Sequence, residues 1–353
     1  MTITSLDNFG HASGSISMSE LRDYYGQSGA VSLNANFNGG TNPVPSSLPA
    51  SGAETSFSNY RSKNRILKKK GRSYLYDTGT SWSPGESGCV QYNVYAIGGG
   101  GSGGAAFAGS GVEGPASGGG AGGTAFRRYS VQDDSITSAA ISFPTAAQAV
   151  SRTSTTTQIS GYNGGDVTFN PDGTGATITG TGGFRGFARF QGQASTTPTA
   201  TTPVGEGDTT AGSGTGGVGS GQCAKGLGQT GSGGENNYKG GDGPALNIGG
   251  NQAGCTGGGS PNLSSGGVDG STTSGQATGA PTEPSEFGSL WKINNVDASA
   301  PSFQGGNGLS TGGTAGSGNY GAGGGGSGSK SSATTSGAGG AGALIVIHYE
   351  INT

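Results

Sequence analysis

The sequence predicts a mainly β protein with very little α-helix: a short docking N-terminal region, then a β-sandwich-like glycine-rich domain with packed polyglycine-II-like helices. Three observations carry this prediction. Glycine supplies 80 of 353 residues, where roughly 7% is usual. Hydrophobic residues reach only 29%, which argues against one deep aliphatic core in a chain of this length. Short alternating or apolar stretches recur between the glycine runs, and such stretches read as strands.

The first 72 residues hold few glycine runs and carry a near-repeat. Residues 13–22 and 51–61 each read as Ser-Gly, a short extended stretch, Ser, an apolar residue, then Ser or Asn, and residues 28–33 echo them. In the first copy Ser17 is placed to cap a helical turn over 18–25. Glu20 stands at the capping-box spacing and Gly26 stops the turn. Units this small do not fold alone. They are expected to dock on another surface through Ile16, Met18, Leu21, Phe57 and Tyr60. A basic cluster follows: Arg61, Lys63, Arg65, Lys68, Lys69, Lys70 and Arg72. It reads as a solvated interdomain hinge, or as a docking patch for an acidic partner led by Lys68, Lys69 and Lys70. No aromatic residues interleave the charges, so nucleic-acid contact is disfavoured.

From residue 73 to 353 a different domain is expected. Residues 73–76 and 90–97 read as strands, separated by a turn around Trp82. Further strands are predicted at 124–131, 138–143, 166–170, 183–190 and 344–351. The segment 205–343 is the richest in glycine. Glycine does not recur strictly at every third position, which excludes collagen. Runs such as 118–120 and 323–326 suit extended, polyproline-II-like strands packed backbone to backbone, because any side chain would hold neighbours apart. Lateral hydrogen bonds would pair the amides. Something regular is needed, because ordering glycine costs more backbone entropy than ordering any other residue.

Composition also excludes whole classes of function. Charged residues are 10% and the net charge is −3, against the basic excess that phosphate neutralisation requires. Residues 1–8 carry no secretory signal pattern. The longest apolar run, 343–347, is far too short for a membrane span, so no membrane insertion is expected. Cys89, Cys223 and Cys255 form no CxxC pair; pairing of Cys223 with Cys255 stays open. His11 and His348 lack the context of a catalytic histidine. Asp133 and Asp134 read as a solvated turn, since adjacent strand residues point to opposite faces. Asp166, Asp172, Asp208 and Asp242 are scattered and match no calcium loop. No glycine pattern opens a helix after a strand as a dinucleotide site requires. No cofactor, metal or enzymatic activity is expected.

One arrangement resembles a known family. Thr78-Gly79-Thr80-Ser81-Trp82-Ser83-Pro84-Gly85 precedes a strand that ends Ala96-Ile97-Gly98-Gly99-Gly100-Gly101-Ser102-Gly103-Gly104. The chain then closes on glycine and alanine from Gly339 and the aliphatic strand reaching Ile347. This order resembles the glycine-rich domain of bacteriophage tail proteins. Ile16-Ser17-Met18-Ser19-Glu20-Leu21-Arg22 with Gly29-Ala30-Val31-Ser32-Leu33 resembles a short motif of phage tail and virion proteins. The resemblance implies a virion structural protein: a tail-fibre, tail-tip or spike component contributing to host-surface attachment. Its partners would be other tail proteins and a host glycan or outer-membrane protein, and a homo-oligomer is expected. Aromatics on glycine- and serine-rich loops resemble an adaptable binding surface. Tyr238, Tyr320, Trp291 and Phe303 are the receptor-binding candidates, with the filling of small hydrophobic pockets as their other reading. A capsid, neck or tail decoration without receptor binding is the alternative. A tailspike glycan depolymerase is a minor one, for want of convergent carboxylates.

Overall fold

The computed structural model describes residues 67–84, 87–107, 116–131, 134, 136–153, 157–188, 222–223, 226–243, 246–247, 258–264, 267–271, 278–329 and 331–351. In chain order the strands are β1 (Leu67–Tyr76), β2 (Ser81–Trp82), β3 (Gln91–Ile97), β4 (Ala105–Phe107), β5 (Thr124–Ser130), β6 (Ala139–Ser142), β7 (Ser151–Arg152), β8 (Thr157–Ile159), β9 (Val167–Pro171) and β10 (Ile178–Gly180). They continue with β11 (Gln222–Cys223), β12 (Asn236–Tyr238), β13 (Leu246–Asn247), β14 (Trp291–Ile293), β15 (Val296–Ala298), β16 (Gly313–Thr314), β17 (Ser327–Ser329), β18 (Thr334–Thr335) and β19 (Ala343–Ile351). One 3-10 turn, Ser285–Phe287, is the only helical element among the described residues. The fold is mainly β, as the sequence predicts.

A seven-stranded sheet in the order β12-β5-β3-β19-β1-β14-β15 organises the chain. Its middle strands are antiparallel, with Val94 opposite Val346 and Tyr95 opposite Ile345. Successive strand residues point to opposite faces. Tyr74, Tyr92, Val94, Ala96, Tyr129, Leu344 and Val346 line one face. Leu75, Tyr95, Ile97, Phe126, Ile345 and Ile347 line the other. Both faces are buried, which is why 343–347 is apolar without interruption. The four-stranded sheet β10-β9-β6-β2 covers the first face with Trp82, Ile141, Val167, Phe169 and Ile178. That pair of layers is a β-sandwich. His348 belongs to this layer, with no exposed surface and its ring stacked on Tyr74 at 4.7 Å. The second face is closed by Leu263, Phe287, Trp291 and Phe303.

β1 begins at Leu67, so the first strand of the domain starts inside the basic cluster. Lys68 to Lys70 pair with β19, and the ladder is interrupted between Lys70 and Ser73. Gly71 there has φ +67°, a left-handed conformation that glycine adopts at little cost. At the sheet edge, β14 and β15 form a hairpin whose two turn residues, Asn294 and Asn295, have φ 48° and 68°. Two left-handed residues in a row match a type I′ turn, and asparagine is among the residues that tolerate it.

Beyond the ends of β3, β10 and β12, and before the starts of β5 and β19, the chain becomes a glycine lattice. Segment 98–104 shows its rule. Gly98, Gly101 and Gly104 donate to the carbonyls of Gly123, Gly120 and Ser117 at 3.0, 2.9 and 3.0 Å. Gly99 and Ser102 donate to Gly165 and Tyr162, and Gly100 and Gly103 to Gly340 and Gly337. Every third residue therefore meets the same neighbour, the signature of a helix with three residues per turn. Segment 117–123 lies deepest. Its amides and carbonyls bond to segments 98–104, 181–187, 226–231, 240–243, 258–260 and 321–326. A strand inside a sheet has two hydrogen-bonded neighbours; this segment has six. The core here is made of backbone.

Such packing leaves no room for side chains. A Cβ on Gly119 would lie 2.0 Å from the carbonyl oxygen of Gly101, and one on Gly323 would lie 1.9 Å from that of Gly119. This close approach also corrects the strand predicted at 183–190. Residues 181–187 are a lattice segment, because Gly182, Gly183 and Gly186 admit neighbours from several directions. Side-chain oxygens finish the lattice where backbone acceptors run out. Ser102 Oγ accepts from Tyr162 N–H, Ser117 Oγ from Phe187 N–H, and Asp166 Oδ1 from Gly182 N–H, each at 2.8 Å. Asp242 Oδ1 accepts from Gly228 N–H at 2.9 Å. These hydroxyls and carboxylates satisfy amides that would otherwise be buried unpaired.

Candidate functional site

The lattice has two distinct ends. One is continuous with the seven-stranded sheet. At the other, segment 98–104 runs into β4, which pairs with β17 and β8 in a small three-stranded sheet. At that remote end lie Phe107, Ala116 and Ala188, and Ala188 bridges to Ala116. The intervening residues, 108–115 and 189–221, lie outside the described residues. The architecture is a block with a backbone core, held at one end by a conventional sandwich and ending at the other in the small sheet β17-β4-β8.

The four aromatic candidates do not lie at that remote end. They gather in one cluster on the sheet face opposite the sandwich partner, with Trp291 and Phe303 buried and Tyr238 and Tyr320 half-buried against them. Trp291 has no exposed surface and Phe303 has 1%, which removes both as surface contacts. The reason is packing: this sheet face needs large apolar cover, and the chain supplies it from glycine-rich surroundings. Phe287 packs edge-on to Tyr95 at 5.1 Å and to Trp291 at 5.4 Å. Trp291 Nε1–H donates to Gly288 O at 3.2 Å. Tyr320 OH donates to Asp77 Oδ2 at 2.8 Å, and burial, then that bond, pushes its pKa up to about 12. Burial, followed by the charge of Glu286, also raises Tyr238.

Glu286 is the polar centre of this face. Its carboxylate accepts from Asn93 Nδ2 at 2.7 Å and from the hydroxyls of Tyr95 and Tyr349. It fastens the 3-10 turn to β3 and β19 together. Lys69 Nζ donates to Ser73 Oγ and to Phe287 O, each at 2.6 Å. Burial lowers the Lys69 pKa, against the opposing pull of Glu286. Replacing Glu286 with Ala leaves three donors without their acceptor, and an orphaned buried donor costs about 1–3 kcal/mol. Urea titration is expected to show a loss of that order for Glu286→Ala and a smaller one for Glu286→Gln, which keeps an amide oxygen.

Three cations of the basic cluster, Lys69, Lys70 and Arg72, have partners within the domain. Lys69 is held as above. Lys70 Nζ pairs with Glu350 Oε2 at 3.1 Å and also donates to Ser87 O. Arg72 pairs with Asp297 at 3.2 Å. Once 67–76 joins the sheet, these three cations find partners on β19, β15 and the 3-10 turn. Lys68 contributes its backbone to β1, and its side chain is outside the description. Ile16, Met18, Leu21, Phe57, Tyr60 and the expected helical turn at 18–25 also lie outside the described residues, as do Asp133, Asp208 and Cys255. Cys223 is described as part of β11 through its backbone, and Cys89 is buried.

The lattice flank offers what the sequence reading passed over. Tyr162 is 55% exposed, and it is the sole aromatic among the exposed large hydrophobic side chains of the described residues. It stands between Gly161 and Asn163 on segment 161–165. That segment is bonded to 181–187 through Gly161 N–H to Gly186 O and Gly164 N–H to Gly183 O. On the neighbouring segment the Arg185 guanidinium lies 5.5 Å from the centre of the Phe187 ring. Asn163 Oδ1 accepts from Arg185 N–H at 3.0 Å and ties the two segments together. The one available signal was an isolated tyrosine in a glycine and asparagine stretch, which reads equally as a loop.

No protein-family model matches the chain, and no curated protein matches it.

Proposed function

We propose that this chain is a structural protein of a bacteriophage virion, a component of the tail fibre, tail tip or spike that contributes to attachment to the host surface. The observation that carries the reading is the glycine lattice with its two unlike ends. A backbone core hydrogen-bonded from several sides is a stiff spacer, and it holds the residues at its remote end, Phe107, Ala116 and Ala188, at fixed positions. Fixed presentation suits attachment, because a pre-organised surface spends little conformational entropy on binding. Residue order along the chain supports the same reading through its resemblance to the glycine-rich domain of phage tail proteins. Other tail proteins are the proposed virion partners, and a homo-oligomer is the proposed assembly. The reading assigns no catalytic step.

A second reading is favoured by one observation. Two of the four aromatic candidates, Trp291 and Phe303, are internal, which is what a tail or capsid decoration without a receptor would show. Adsorption separates the two. Purified full-length chain added to host cells before phage challenge is expected to bind saturably and to reduce phage adsorption. Well-folded chain that neither binds cells nor slows adsorption would favour the decoration reading.

A further inference from the structure

We propose that Asp297 guards the open edge of the seven-stranded sheet against pairing with a second copy of this chain. The inference is independent of the attachment reading, and it directs the proposed homo-oligomer to another surface. A sheet edge carries unpaired main-chain donors and acceptors, which can template a strand from a second molecule. This sheet has two edges, β12 and β15. The chain itself covers β12: Gly231 N–H donates to Tyr238 O at 3.4 Å, and Thr230 bridges to Lys239. Among the described residues, nothing pairs with the outer side of β15.

The hairpin register fixes what that side presents. Ile293 lies opposite Val296 across the turn, Lys292 opposite Asp297, and Trp291 opposite Ala298. The pair closing a two-residue turn is hydrogen-bonded, and bonded and non-bonded pairs then alternate along the ladder. Val296 and Ala298 therefore turn their main-chain groups toward β14, and Asp297 turns its N–H and C=O outward. The side chains nearby add apolar surface: Val296 is 69% exposed, and Leu290, just before β14, is 57% exposed. The single position where a second strand could bond carries a carboxylate.

Two copies of β15 paired antiparallel about that position would set one Asp297 directly opposite the other. Cβ atoms of directly opposed residues lie about 4.5–5.5 Å apart, and like charges there are destabilising. The Arg72 guanidinium pairs with Asp297 at 3.2 Å, yet it reaches out from β1, two strands inward. It stands on the side away from an incoming copy and leaves the carboxylates facing one another. The Asp297 side chain is also 64% exposed, and pairing would take that charge out of water. β15 is only three residues long. A short edge strand bearing a charge is a recognised means of refusing a further strand.

The test compares the full-length wild type with Asp297→Thr and Asp297→Lys, by sedimentation velocity at equal concentration. Threonine favours strands and carries no charge. Lysine loses the pairing with Arg72 just as threonine does, but it again sets like charges opposite each other. Asp297→Thr is expected to raise the weight-average mass about twofold over the wild type, the step made by a two-fold symmetric contact. Asp297→Lys is expected to keep the wild-type mass. In the associated Asp297→Thr protein, hydrogen exchange at the amide of residue 297 is expected to slow. An unchanged mass in Asp297→Thr, an equal rise in Asp297→Lys, or a rise without slower exchange at residue 297 would overturn the guard.

Discussion

Gly119→Ala is expected to destabilise the protein by about 3 kcal/mol or more, the upper part of the range for overpacking. The added methyl would lie 2.0 Å from Gly101 O and 2.5 Å from its carbonyl carbon. Those atoms belong to backbone already bonded on several sides, so no side chain can rotate away. Moving segment 98–104 aside would also strain the bonds that Gly101 makes to Gly120 O and accepts from Gly324 N–H. Gly279→Ala is the control. Nothing lies within 4 Å of its added methyl, and replacing glycine at such a position removes unfolded-state entropy, a gain of about 0.4–1 kcal/mol. The same substitution should thus change sign between two places in one chain. Thermal and urea unfolding of both variants would check it; equal effects would mean that the lattice is looser than this packing requires.

Trp291→Ala is the second large effect. Burial of the whole indole, its edge contact with Phe287 and its bond to Gly288 O predict a loss of about 3–5 kcal/mol, the usual cost of truncating a large buried aromatic. The consequence for function is specific. On the attachment reading proposed above, binding to host cells, measured per folded molecule at low temperature, is expected to match the wild type. A variant that keeps its stability and loses cell binding would return Trp291 to the receptor surface.

Much of the scaffold was legible in the sequence. The strands at 90–97, 124–131, 138–143, 166–170 and 344–351 were readable because their alternation or unbroken apolarity reports burial directly. The lattice was legible as a type of packing, since runs such as 323–326 exclude any core made of side chains. Its register was not legible. One glycine looks like another, and the three-residue rhythm is kept by hydrogen bonds without any repeat in the letters. The adjoining strands supply the missing information: Ile97 opposite Ala343 and Thr124 fixes where 98–104 meets 337–341 and 117–123. Trp291 and Phe303 follow the pocket-filling reading, for a related reason. Glycine around Trp291 and Phe303 suggested exposed loops, whereas glycine only says that side chains are scarce, and scarce side chains can equally leave a neighbour's ring to fill a core. Tyr162 was overlooked because a single tyrosine in a glycine stretch carries no periodicity.

The backbone core also changes how the protein should respond to temperature. Unfolding an ordinary domain exposes mostly apolar surface, which raises the heat capacity, while exposed peptide groups lower it. Melting the lattice around 117–123 would uncover mainly amides. The heat-capacity increment per residue is therefore expected to fall below the usual value of about 12–15 cal/mol/K. A small increment flattens the stability curve, so the protein would lose less of its stability on cooling than an oil-cored domain of the same melting temperature. In a core of this kind, the absence of side chains becomes an indifference to the weather.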